Sequence, residues 1–152
     1  MKIINQSIGL ILTISLLFLG CKKKDDSSFS QYNYWSCHQK VSWDSLKIKE
    51  TLLGEWLWEF SICAWPGCKI DKETNKGISV IFKTNNSLEV KENGRIIRTS
   101  QWKVVKQTDQ EYYIDTEPFE SMLYGGILFC DKKLAFNASG TDIGCEYFKK
   151  ME

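Results

Sequence analysis

Residues 54–63 read GEWLWEFSIC, and their alternation decides the fold. Trp56, Trp58, Phe60 and Ile62 fall on one phase, with Glu55, Glu59 and Ser61 on the other. Period two marks a half-buried strand, because successive side chains of a strand point to opposite faces. The same alternation returns in Ile78, Val80 and Phe82, and again in Leu88 and Val90. Turn formers separate the runs: Asn85 and Asn86, Asn93 and Gly94, Thr108 and Asp109, Asp131 and Lys132, then the longer NASGTDIG at 137–144. The Asn93–Gly94 pair is the strongest of these, since both residues tolerate the positive φ of a type I′ hairpin turn. Counting between the marks predicts eight strands, near 54–64, 78–84, 87–92, 95–106, 111–116, 123–130, 133–138 and 144–150. Upstream, Ser42 or Asp44 caps a short helix over 43–52, with Leu46, Ile48, Leu52 and Leu53 turned inward.

Eight short antiparallel strands with hairpin connections fit an all-β, up-and-down barrel preceded by a short N-terminal helix. A two-sheet sandwich is the alternative, because strand counting does not show closure.

The chain is 152 residues long and opens with Met1, Lys2 and an apolar stretch from Ile8 to Leu19. That stretch is the core of a signal peptide and too short to span a bilayer, which takes roughly 20 residues. It ends in Phe18, Leu19, Gly20, Cys21, followed at once by Lys22, Lys23, Lys24, Asp25 and Asp26. These residues resemble the lipobox of bacterial lipoproteins, with Leu19 bulkier than usual. The resemblance implies cleavage after Gly20 and lipidation of Cys21 by a thioether diacylglycerol, joined by an amide-linked chain such as palmitate. Two acyl signals suffice for stable anchoring. The expected organisation is a signal peptide over 1–20, a flexible tether over 21–33 and one barrel domain over 34–152. The expected location is the outer membrane, lipid-anchored, on its cell-surface or periplasmic face.

Gly54, Glu55 and Trp56, at the start of the first strand and directly after a short helix, resemble the Gly-x-Trp signature of lipocalins. In that family the tryptophan crosses one end of the barrel and packs against a basic side chain from near the last strand. The resemblance implies that Lys149 or Lys150 lies over the Trp56 ring.

Five cysteines follow Cys21, and export makes disulfides expected among them. In an up-and-down barrel Cys37 and Cys130 share one end, while Cys63, Cys68 and Cys145 share the other. The predicted bonds are Cys37 to Cys130 and Cys63 to Cys145, with Cys68 as the alternative partner of Cys145. The spacing of Cys63 and Cys68 is wider than the usual zinc pair, and no metal site or other cofactor is expected.

Charge identifies no partner. The formal net charge is +1, which loss of Lys2 takes to zero, and no basic block in the folded part suggests nucleic acid. Cys37 beside His38 reads as a disulfide cysteine next to an exposed histidine, since sequence neighbours seldom face each other as nucleophile and base. No catalytic motif is present, so no enzyme is expected. On the inward phase, Trp58, Phe60, Phe82, Trp102, Tyr112 and Tyr124 are expected to line a pocket for a small apolar or amphipathic ligand; the alternative is that they fill the barrel. In the second case the outer face and loops, Trp65 and Pro66 among them, would serve as a module binding or inhibiting an envelope protein.

Overall fold

The computed structural model describes residues 31–64, 70–141 and 144–152. Helices α1 (Gln31–His38) and α2 (Ser45–Leu52) precede eight strands. These are β1 Gly54–Ile62, β2 Ile78–Phe82, β3 Ser87–Glu92, β4 Arg95–Lys106, β5 Tyr112–Glu117, β6 Gly126–Cys130, β7 Lys133–Ala138 and β8 Gly144–Lys150. A 3-10 turn, Ser121–Leu123, lies between β5 and β6. No helix of the described residues is long and apolar enough to cross a membrane.

All strands belong to one antiparallel sheet in the order β5-β4-β3-β2-β1-β8-β7-β6. Neighbours in sequence are neighbours in space, and β8 comes round to pair with β1, so the meander curls into a nearly closed barrel. The expected all-β barrel is what the chain forms. Its ladder stops at β5 and β6, which face each other across a seam.

Local chemistry explains the elements. Asn93 (φ 48°) and Gly94 (φ 81°) make the expected tight turn between β3 and β4. Asp44 caps α2, its Oδ1 accepting from the Lys47 N–H at 2.8 Å. The helix then buries Ile48 and Leu52, one turn apart, against the barrel end. Leu46 was expected to face inward but is exposed, because it sits roughly 200° round the helix from Ile48. At that same end the Trp56 indole N–H donates to the Leu52 carbonyl at 2.6 Å. The Lys150 ammonium lies 4.8 Å from the Trp56 ring and donates to the Thr51 carbonyl at 2.7 Å. One lysine thus closes the C-terminus of α2 and covers the indole, in the place expected for a basic side chain.

β1 departs from strict alternation. Trp58 pairs with Phe148, but the next partner of Tyr147 is Phe60, with the register shifted between them. Glu59 is the extra residue of a β-bulge, and everything after it changes face. Trp56 and Trp58 stay in the interior with Val80, Phe82, Trp102 and Phe148. Phe60 instead turns outward, stacks on Tyr147 at 4.5 Å and joins Tyr34, Leu128, Ala135 and Cys145 in a second apolar cluster. Its expected place on the inward phase is corrected by the bulge, and Ile62 goes with it.

The bulge also decides the cysteines. Cys37 and Cys130 are bonded as expected, closing 93 residues of chain, a constraint of about 4.6 kcal/mol on the loop-entropy model. Cys145 is a free, buried thiol that donates to Asn137 Oδ1 at 3.2 Å. It therefore pairs neither with Cys63 nor with Cys68. Its register partner is Ile62, on the outer face, and Cys63 follows on the opposite phase. Cys63 is itself disulfide-bonded, to a partner outside the described residues; Cys68 lies there too. Cys21 and the tether up to Ser30 also fall outside them, while Gln31 to Asn33, expected to end the tether, begin α1.

Gly144 gives a test of the β1–β8 closure. Its φ is +92°, and an added Cβ would meet the Ile62 carbonyl oxygen and the Cys63 Cα. Gly94 has φ +81° but nothing within 4 Å of an added Cβ. In urea denaturation Gly94→Ala should cost about 1 kcal/mol, the left-handed backbone penalty alone. Gly144→Ala should exceed about 2 kcal/mol, because a backbone clash is added. Equal losses would mean that β8 does not approach β1 this closely.

Candidate binding site

The aromatic set expected to line a pocket is mostly core. Trp58, Phe82, Trp102 and Tyr112 are each 5% exposed or less. So little accessible area leaves no room for a ligand beside them inside the barrel; Tyr112 instead borders the cavity along the β5–β6 seam, and Trp102 a depression along β4 and β5. Phe82 packs edge-to-face on Trp102 at 5.1 Å, and the Trp102 indole N–H donates to the Ser87 carbonyl at 3.1 Å. Tyr124 is displaced altogether. Because residues 121–123 coil into the 3-10 turn and bury Met122 and Leu123, β6 begins only at Gly126. Tyr124 is left 40% exposed, edge-on to Phe119. Trp65, Pro66 and Gly67, expected near the open end, lie outside the described residues.

Two interior carboxylates face the end of the barrel away from α2. Glu120 is buried and accepts from Arg98 Nε at 3.0 Å and from Ser100 Oγ at 3.1 Å. Glu146 accepts from the Trp58 indole N–H at 2.6 Å. Burial pushes the Glu146 pKa up, the indole N–H opposes this, and the charge of Asp71 adds to the rise.

The seam between β5 and β6 is where sequence reading missed the most. β6 is an edge strand, and its Phe129 N–H donates to His38 Nδ1 at 3.0 Å. His38 must then be neutral with its proton on Nε2. Its ring stacks on Trp43 at 5.0 Å and 5°, and the Trp43 indole N–H donates back to the His38 carbonyl at 2.8 Å. From the other edge, the Tyr112 hydroxyl reaches the Trp43 carbonyl at 3.4 Å. The segment joining α1 to α2 thus touches both edge strands, and the Cys37–Cys130 bond pins it one residue away. His38 was expected to be exposed; it is 4% exposed because the unpaired strand donor needs a buried acceptor. The helical spacing of buried Tyr34 and His38, four apart, was the one signal that would have found α1. The sulfurs of Cys37 and Cys130 lie within 4.8 Å of an Asp131 carboxylate oxygen, but bonded to each other they are not metal ligands.

Outside this clamp run three adjoining cavities, of about 540, 310 and 490 Å³. The first lies between the α1–α2 segment and the β4–β5 turn, and the second and third follow the seam. Trp35 and Gln110 wall the first two; Gln107, Gly126, Asn137 and Gly140 are common to the second and third. They form one groove past both edge strands, and the sequence carried no mark of it beyond scattered polar residues.

Comparison with protein-family models, with characterised proteins and with solved structures finds no match to this chain.

The clamp has a pH signature. Burial lowers the His38 pKa from 6.5 to about 4, so the folded state favours the neutral ring. The unfolded chain takes up the proton first as pH falls. The stabilisation is complete above the unfolded value and is lost progressively between pH 6.5 and 4, by up to about 3 kcal/mol. Glu146 acts with the opposite sign, since acidification removes a charge that the fold disfavours. His38→Gln keeps an acceptor for the Phe129 N–H without the titration. Denaturation free energies measured from pH 7.5 to 4 should fall for the native protein and show a shallower slope in this variant; parallel slopes would remove His38 from the account.

Proposed function

We propose that the chain is an exported lipoprotein, held at the outer membrane through a lipid on Cys21, whose lipocalin-like barrel is a rigid module that recognises its partner on its outside. One observation carries the reading: the side chains that an internal ligand would have to touch are packed against one another with almost no accessible area. An apolar molecule inside would require Trp58, Phe82 or Trp102 to leave the core, at a cost of several kcal/mol for a buried aromatic. The interior is rather what holds the outside in shape.

Three features support the export part. The apolar run from Ile8 to Leu19 ends at Gly20 and Cys21, and a charged segment follows. A disulfide between Cys37 and Cys130 suits an oxidising compartment. The helix that this bond fastens begins ten residues after Cys21, a spacing that lets a short tether hold the barrel close to a bilayer. No group of residues in the described structure calls for catalysis, and recognition without covalent chemistry accounts for what is present.

The anchor is tested by fractionation. The native protein should partition with outer membranes and enter the detergent-rich phase on extraction, and Cys21→Ala should not. A Cys21→Ala protein that still fractionates with membranes would sink the anchor. Native mass spectrometry of that released variant tests the filled interior: the expected spectrum shows the bare chain. An apolar adduct retained by it and lost in Trp58→Ala would instead place the ligand inside the barrel.

A further inference from the structure

The groove along the seam has a chemistry of its own. Gln39, just after α1, and Gln107 and Gln110, both on the β4–β5 turn, reach it from two sides, and among the described residues their side-chain amides make no hydrogen bond. Each amide offers one acceptor oxygen and two donor hydrogens. Trp35 stands between the first and second cavities, half-buried, with part of its ring packed against the second apolar cluster and part left to the groove. Charges on the rim are few: Lys106 and Asp109 pair at 2.9 Å, and Glu111 is the one carboxylate among the described lining residues without a cation beside it. Farther along, Gly126 and Gly140 keep the wall low.

We infer that this groove is a carbohydrate site that takes a neutral oligosaccharide, with Trp35 beneath one sugar ring and the glutamine amides on its hydroxyls. A pyranose has an apolar face of C–H groups and a rim of vicinal hydroxyls that both donate and accept. The negative face of an indole attracts the first, and a carboxamide, donor and acceptor side by side, matches the second. Among the described residues the rim offers an anionic ligand no free cation, since Lys106 is held by Asp109, and the exposed Glu111 carboxylate can accept from sugar hydroxyls. An extended peptide would look for wells to receive its alternate side chains, whereas this groove spaces aromatic side chains along its walls, Trp35 and Trp43 in the first cavity and Tyr113 and Tyr124 in the third. Each cavity falls within the usual size of a small-molecule site, about 300 to 1,000 Å³, and their continuity suits a ligand of several units.

This inference rests on the reading of the barrel's outside as its binding surface, and one experiment separates the two. The full-length protein, kept in a detergent without a sugar headgroup, is titrated by calorimetry with cello-, malto-, manno- and xylo-oligosaccharides of two to six units. Saturable binding is expected from at least one series, with loss of affinity of about fivefold to tenfold in Gln110→Ala and in Gln39→Ala. Trp35→Ala should remove it. Both glutamines are exposed and outside the core, so these variants fold even if Trp35→Ala does not. Gln101→Ala, an exposed amide on β4 away from the groove, should bind as the native protein does. Absence of binding across the panel, or binding unchanged in both glutamine variants, overturns the carbohydrate site. If extended peptides bind instead and lose affinity in Gln110→Ala, the sugar inference fails while the external surface stands. An apolar ligand found inside the barrel would overturn both.

Discussion

A sheet of eight strands rolled on itself has two edges to join, and here they are joined by a loop rather than by a ladder. His38 accepts the Phe129 N–H of β6, Trp43 accepts the Tyr112 hydroxyl of β5, and the two aromatic rings between them are stacked. An unpaired N–H in an apolar setting costs about 1 to 3 kcal/mol, so an edge strand left dry beside the core needs such a partner. A water molecule would serve at an open edge, but α1 and the Cys37–Cys130 bond exclude solvent there. The imidazole is the side chain that both stacks in an apolar site and presents an unprotonated acceptor. Closure of the seam, burial of α1 and the shape of the groove outside the clamp all draw on that contact, together with the Cys37–Cys130 bond.

What the sequence made legible were features repeated along it. The two-residue period in β1, β2 and β3, and the Asn93–Gly94 turn, placed the strands to within a few residues of their ends. The resemblance of the Gly54–Trp56 start to that of lipocalins implied a cation from near the last strand, either Lys149 or Lys150, and Lys150 lies over the ring. Closure of β8 on β1 followed from counting. Illegible were single events that break a period. Nothing in Glu59 announces a bulge, yet it sends Phe60 and Ile62 to the other face and leaves Cys145 without a disulfide. Tyr124 failed for a related reason, since burial of Met122 and Leu123 in a 3-10 turn outweighs three further residues of strand. α1 was hidden because its stripe is short, and because the glutamine, asparagine and serine around Tyr34, Trp35 and His38 read as linker.

The interior is divided by polarity. Toward α2 it is apolar, with Trp56, Phe82 and Trp102 at its floor. Toward the other end lie Glu120 with Arg98 and Ser100, and Glu146 with Trp58. Such groups stabilise weakly when fully paired and cost much when a partner is removed. Their value is directional: a carboxylate that must meet Arg98 and Ser100 fixes how the β5–β6 connection folds over the barrel end, which apolar contacts alone would leave loose. A barrel specified in this way is a poor container and a good frame.

The frame and the groove share one helix. Trp35 reaches the groove from α1, three residues before the histidine that secures the seam and two before the cysteine bonded to Cys130. Any motion that loosens the clamp therefore moves the aromatic platform as well. Before oxidation α1 would rest on the His38 hydrogen bond and the packing of Tyr34 against Tyr147, contacts that open far more readily than a covalent link. On the export reading the bond forms only after the chain has left the cytoplasm, so the groove acquires its fixed shape in the compartment where the lipid anchor holds it. On that reading position and competence would arise together, from two cysteines with different roles: Cys21 would set where the barrel stands, and Cys37, bonded to Cys130, the shape of what it presents.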